Sequence, residues 1–328
     1  MNFKKSLVST ISVIGVLCIF TCLISITNIV KSSEEEKLEK ITVFLDWFIN
    51  PDHAPLFVAL EKGYFTDAGL EVELISPSDA NDPPKLVAAG IGDIAISYQP
   101  QLHMQNSAGI PIKRIGTLVS TPLNTVLTLS DSSIKSIADL KGKKVGYSVG
   151  GFEEILLGAM LEKHGLKITD VTLINVNFSL SPALLSGQVD AVIGAYRNFE
   201  LNQLSIEGHS GKAFYLEEEG IPAYDELIFI ARTDDLHKGK YRQFIDSIER
   251  GVQFLINHPK DSWNLFIKGR PELNNELNIR AWSDTLPRFA LRPGALDVNR
   301  YKKFANFMAS RGLIEEPGIV EEYAVELD

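Results

Sequence analysis

The sequence predicts an α/β fold of two lobes, and three observations carry that reading. With 328 residues the chain exceeds one domain of ~150 and suits two. After Lys40, short apolar runs alternate with helix-like stretches, the pattern of parallel strands covered by helices. Two local patterns then recur about 100 residues apart, as in two lobes built on one plan. "EKGYFTDAGLEVEL" (61–74) is matched by "EKHGLKITDVTL" (162–173), and "LVAAGIGDIAISY" (86–98) by "LLSGQVDAVIGAY" (184–196).

In chain order, the first element is membrane-seeking. "MNFKK" supplies two positive charges, Ser6 to Val30 then runs 25 residues without one, and "KSSEEEKLEK" follows as a polar tether. A signal-peptide core takes ~7–15 residues and a spanning helix ~20. Residues 1–40 therefore read as a signal sequence or a membrane anchor, a hydrophobic helix preceding an extracytoplasmic body. Both cysteines, Cys18 and Cys22, fall inside this segment, which leaves the rest of the chain no thiol for a disulfide or a thiolate metal site.

The strands expected next are 41–45, 71–75, 94–97, 144–148, 171–176 and 191–195. In the repeated pattern a helix stops at Gly90 or Gly187, and Asp93 or Asp190 is placed to bond the turn amides before a strand rises. From about Asp234 the texture changes to amphipathic helices. Phe244, Ile248 and Leu255 keep a helical apolar spacing within 241–259. These helices are expected behind the first lobe, which gives a discontinuous lobe 1 (41–130 and 232–328) and a lobe 2 (131–231). The chain would cross between them near 125–135 and 228–234.

A net charge of −10 excludes the basic face that a nucleic acid needs. HExxH and a G-x-S-x-G elbow are absent, and the six histidines lack metal-ligand spacing, so neither a metal site nor a catalytic machine is expected. Ligands in such sheets gather beyond the carboxyl ends of strands. That singles out Asp46 and Trp47, Tyr98, Ser148, and the stretch from Tyr196 to Glu200. Trp47 offers a flat face for an aromatic ligand. Tyr196, Asn198 and Glu200 alternate, so an extended backbone would turn all three the same way toward the donor and acceptor edge of a heterocycle. His53 reads equally as a ligand contact or as an ordinary helix-start residue, and Asp52 as a helix cap. Lys62 reads as a solvated helix-end lysine. "GYSVGGFEE" (146–154) is a strand-to-helix turn whose backbone N–H groups could hold a polar ligand atom.

"LDWFINPDHAPLFVALEKGYF", "SIADLKGKKVGYSVGG" and "GQVDAVIGAYRNFE" together resemble the NMT1/THI5-like family of solute-binding proteins of ABC importers. The likeness is nearest to the branch that binds formylaminopyrimidine. It implies a periplasmic-binding-protein fold of type II with an interlobe cleft. It also implies an aminopyrimidine thiamin precursor, formylaminopyrimidine or hydroxymethylpyrimidine, as ligand, an ABC permease as partner, and no cofactor. Carried over, Asp46 and Trp47 match the family's first-lobe ligand contacts, and Tyr196, Asn198 and Glu200 its second-lobe contacts. One relative in the resemblance is a pyridoxal-phosphate-dependent synthase of the thiamin pyrimidine. Its cysteine-rich motif corresponds here to "GIPAYDELIFIA", without cysteine. Proteins of the same fold that bind riboflavin, a sulfonate or nitrate complete the set of rival readings.

Overall fold

Two five-stranded sheets, each with four strands running one way and one the other, organise a computed structural model that describes residues 37–327. The expected amino-terminal segment lies outside the described residues. No helix among the described residues is long and apolar enough to cross a membrane.

The first sheet holds β1 (Glu39–Phe44), β2 (Leu70–Ile75), β3 (Ile94–Ser97), β4 (Ile112–Val119) and β10 (Leu227–Arg232), in the order β2-β1-β3-β10-β4. The second holds β5 (Asn124–Leu129), β6 (Lys144–Tyr147), β7 (Thr172–Asn175), β8 (Ala191–Tyr196) and β9 (Gly211–Tyr215), in the order β7-β6-β8-β5-β9. In each sheet the first strand of the repeated pattern, β1 or β6, pairs in parallel with the two that succeed it. The strand arriving from the other lobe, β10 or β5, adds antiparallel. All six expected strands are present. Among the four others, β5 and β10 are the two that make the sheets mixed rather than parallel.

The lobe limits shift accordingly. β5 belongs to the second sheet and β10 to the first, so the chain crosses at 120–123 and 216–226, ahead of both expected crossings. β5 and β10 escape the strand-helix alternation because each comes directly after a crossing and has no helix before it. Glu226 ties the two crossings together. Its Oε2 accepts the N–H of Leu123, the N–H of Asn124 at 2.9 Å and the Tyr224 hydroxyl at 3.1 Å.

The repeat is real, but its aspartates work differently from expectation. Gly90 and Gly187 take φ of +73° and +74°. Asp93 and Asp190 accept N–H groups of the neighbouring first strand, Thr42 and Lys144, each at 2.8 Å, instead of turn amides. Each aspartate thus fixes where its own strand begins against the strand beside it.

Five helices position the cleft: α1 (Ala54–Glu61), α2 (Phe152–Lys163), α3 (Glu200–Ile206), α4 (Lys240–Asn257) and α5 (Glu276–Thr285). α4 buries Phe244, Ile248 and Leu255 in the first lobe, as its spacing predicts. It packs on α1, where a Cβ at Gly251 would come within 2.6 Å of the Pro55 carbonyl oxygen. That close approach needs glycine, and it anchors the helix whose first turn stands over the cleft.

Candidate functional site

The carboxyl ends of β1 and β3 in one lobe and of β6 and β8 in the other open on a single cavity. It encloses about 440 Å³ of empty space, adjoining solvent included. From the first lobe it is lined by Asp46, Trp47, Asn50, Asp52 and Tyr98. From the second it is lined by Asn124, Val149, Phe152, Glu153, Gly194, Tyr196, Phe199 and Glu200.

On the first-lobe side, Asp46 comes just after β1 and is 4% exposed. Its Oδ1 accepts from His53 Nε2 at 2.9 Å, and its Oδ2 accepts from the Tyr98 hydroxyl at 3.1 Å. His53 is fully buried and its Nδ1 accepts the Asn50 N–H at 3.3 Å, so the ring proton sits on Nε2, facing Asp46. His53 does not line the cavity; it orients the acid that does. Asn50 caps the turn Pro51–His53 through its side-chain oxygen, which accepts the Asp52 N–H at 2.8 Å. Asp52 is therefore not the cap. Burial pushes its carboxyl up to about 6.

On the second-lobe side, two acids rest on backbone N–H groups. Glu153 Oε2 accepts from Ser148 N at 2.8 Å and Val149 N at 3.2 Å. Glu200 opens α3 and accepts the Tyr196 N–H at 2.6 Å. Burial raises Glu153 to about 8 and Glu200 to about 7, against the opposing pull of those bonds. The turn expected to offer free N–H groups has thus spent those of Ser148 and Val149 on Glu153, that of Gly150 on Asn81 and that of Gly151 on Glu154. Behind the cavity Glu226, raised by burial to about 7, takes the Tyr196 hydroxyl at 3.4 Å.

Aromatic rings complete the walls. Trp47 meets Phe178 of the second lobe edge-on at 4.6 Å, and Tyr98 stacks on Phe152 at 4.9 Å. Polar ties run between the lobes beside the cleft: Asn198 Nδ2 donates to Asp52 Oδ1 and Thr285 Oγ1 at 2.7 Å each, and Gly150 N–H donates to Asn81 Oδ1 at 2.7 Å.

Of the eight residues singled out by sequence, the cavity brings together Asp46, Trp47, Tyr98, Tyr196 and Glu200. Three lie elsewhere. His53 stands behind Asp46. Ser148 turns its hydroxyl to the Asn177 carbonyl oxygen, away from the cavity. Asn198 is an interlobe tie, because β8 ends at Tyr196 and α3 begins at Glu200, so no extended run exists to alternate. Sequence reasoning misses Asn50, Asn124, Val149, Phe152, Glu153, Gly194 and Phe199 as wall residues, and Asp52, which it reads as a helix cap. The adjacent acids after Gly150-Gly151 are the one visible signal.

Residues 50–262 match the family model described as NMT1/THI5 like. The chain belongs to the NMT1/THI5-like family. Its relatives include a Haemophilus influenzae protein named for thiamine biosynthesis, 53% identical over 88% of this chain and 93% of that one. The formylaminopyrimidine-binding protein of Halalkalibacterium halodurans is 30% identical over 89% and 91%. The 4-amino-5-hydroxymethyl-2-methylpyrimidine phosphate synthase of Uromyces fabae is 29% identical over 85% and 84%. In fold, this member matches the alkanesulfonate-binding protein SsuA of Xanthomonas axonopodis, with a TM-score of 0.67 at 18% identity over 87% and 97%. The shared architecture is the two-lobe α/β fold of periplasmic binding proteins.

Proposed function

We propose that this protein is the substrate-binding component of an ABC importer and that it takes an aminopyrimidine thiamin precursor in the cleft. One observation carries the reading: four carboxyls line the cavity, from both lobes, and among the described residues no lysine, arginine or histidine lines it. Such a wall suits a flat, uncharged or cationic ligand rich in N–H donors. Trp47 stacks on the ring, Asp46 and Glu200 accept from the exocyclic amine, and the Tyr196 hydroxyl bonds the ring edge. A ligand without the amine leaves a buried carboxyl oxygen short of one donor, at a cost of ~1–3 kcal/mol.

The same wall disfavours anions. One ionised carboxylate 4 Å from a sulfonate or phosphate costs about 4 kcal/mol at an effective dielectric of about 20. A synthase holding pyridoxal phosphate fits no better, because the cleft offers no amine for an imine. Lys62 is on the first lobe, over the Phe254 ring at 4.3 Å, and does not line the cavity. The apolar segment before the fold agrees with export, and an ABC permease is the partner that would receive the load.

Native mass spectrometry of protein purified without denaturation tests the reading. An aminopyrimidine should leave the cleft on activation; a flavin, a sulfonate or pyridoxal phosphate in its place would refute it.

A further inference from the structure

The proposed amine contacts leave two cleft carboxyls, Asp52, which accepts from Asn198 and Thr285, and Glu153. Glu153 is 3% exposed, and its Oε2 is engaged by two backbone N–H groups. The hydrogen bonds that the described residues make to Glu153 both go to Oε2, not to Oε1. Oε1 lies over Gly194, where a Cβ would come within 2.4 Å of it, and Gly194 has φ of +92°. Asn124 flanks the same glycine. Its side-chain oxygen accepts the Gly194 N–H at 2.9 Å, and its Nδ2 is buried without a partner in the cavity wall. Gly194 thus clears space for Glu153 Oε1, and Asn124, which accepts from the same glycine, leaves its Nδ2 unmatched in the same wall.

The surroundings decide which way Glu153 bonds. The titratable groups facing it are Glu226, Glu154, Tyr98 and Tyr147, with no cation among them. An acid buried among acids keeps its proton, and with Oε2 already accepting twice, that proton belongs on Oε1.

We propose that Glu153 determines specificity by donating a hydrogen bond from Oε1 to an unprotonated ring nitrogen of the ligand, with Asn124 Nδ2 as a second donor. This rests on the aminopyrimidine reading and sharpens it, since it requires a ring-nitrogen acceptor beside the amine. The complex then holds one proton between Glu153 and the ring nitrogen. Burial raises Glu153 to about 8, and the other lining carboxyls with raised values, Asp52 and Glu200, stand at about 6 and about 7. Above about pH 8 the complex must take that proton from solvent, so affinity falls about ten-fold per pH unit.

Titration calorimetry with 4-amino-5-hydroxymethyl-2-methylpyrimidine tests this in two buffers of different ionisation enthalpy. Wild type should bind at about pH 7. By about pH 9.5 it should weaken more than ten-fold and take up one proton per ligand. Glu153→Gln keeps a donor, so it should bind within about three-fold of wild type at about pH 7 and lose the alkaline decline. Glu153→Leu should lose at least about ten-fold. Wild-type affinity unchanged to about pH 9.5, or a ten-fold loss in Glu153→Gln at about pH 7, would overturn the proposal while sparing the aminopyrimidine reading. No binding by wild type at about pH 7 would overturn both.

Discussion

In the first lobe Asp46 is held by two side chains, His53 Nε2 at 2.9 Å and the Tyr98 hydroxyl at 3.1 Å. In the second lobe Glu153 is held by backbone N–H groups of a turn and Glu200 by that of Tyr196, the last residue of β8. The two sheets share one strand order, so topology does not set this difference. The turns leaving the strands do: a proline-started turn returns a histidine beneath β1, whereas glycine-rich or tightly wound turns leave β6 and β8. Side-chain supports can be removed one at a time. Backbone supports respond only to changes that move the backbone or fill the space it leaves.

The largest break should therefore come from a glycine in the second lobe. Gly194→Ala forces a side chain into φ of +92° and against Glu153 Oε1. It should cost about 2–3 kcal/mol of stability in urea unfolding and at least about 50-fold in affinity. An unchanged unfolding midpoint would mean that the glycine clears nothing. In the first lobe, His53→Ala strips Asp46 of its shorter bond and leaves a buried acceptor short of a partner. Affinity should fall by about 1–3 kcal/mol, and His53→Gln should recover part of it if a side-chain N–H is what matters.

The ligand-free protein should also lose stability from about pH 5 to about pH 8, by at least about 1.4 kcal/mol, the free energy of a ten-fold change in one group's proton affinity. Asp52 is raised to about 6, Glu200 and Glu226 to about 7, and Glu153 to about 8. Each binds its proton more tightly folded than unfolded. The stabilisation is thus full below the ordinary carboxyl range and is lost as pH rises through the folded values. Thermal unfolding at the two ends checks the sign; a flat or rising profile contradicts it. The smallest effect is expected for Tyr98→Phe, which removes one bond to Asp46 and keeps the ring on Phe152. About 0.5–1.5 kcal/mol of affinity should go, with little change in melting temperature.

Strand tips are legible where an apolar run stops at a polar or aromatic residue, as at Asp46-Trp47, Tyr98 and Tyr196. β5 and β10 are not, because a strand that adds to the other lobe has no local partner to announce it. Period-2 reasoning fails at Asn198 because it assumes an extended chain, and the backbone there turns into α3 soon after Tyr196. His53 illustrates a different limit. A histidine beneath an acid and a histidine beside a ligand have the same spacing in sequence, and only burial separates them.

Intrinsic tryptophan fluorescence, with Trp47 in the cavity wall, tests the central claim most directly. Titrations of wild type and Glu200→Gln with 4-amino-5-hydroxymethyl-2-methylpyrimidine and with its phosphate ester should rank the ligands. The free pyrimidine should bind, its phosphate should be at least about 100-fold weaker, and Glu200→Gln should weaken the free pyrimidine by more than about 1 kcal/mol. A phosphate ester that binds as tightly, or a Glu200→Gln protein that binds unchanged, would contradict an acid-lined pyrimidine cleft.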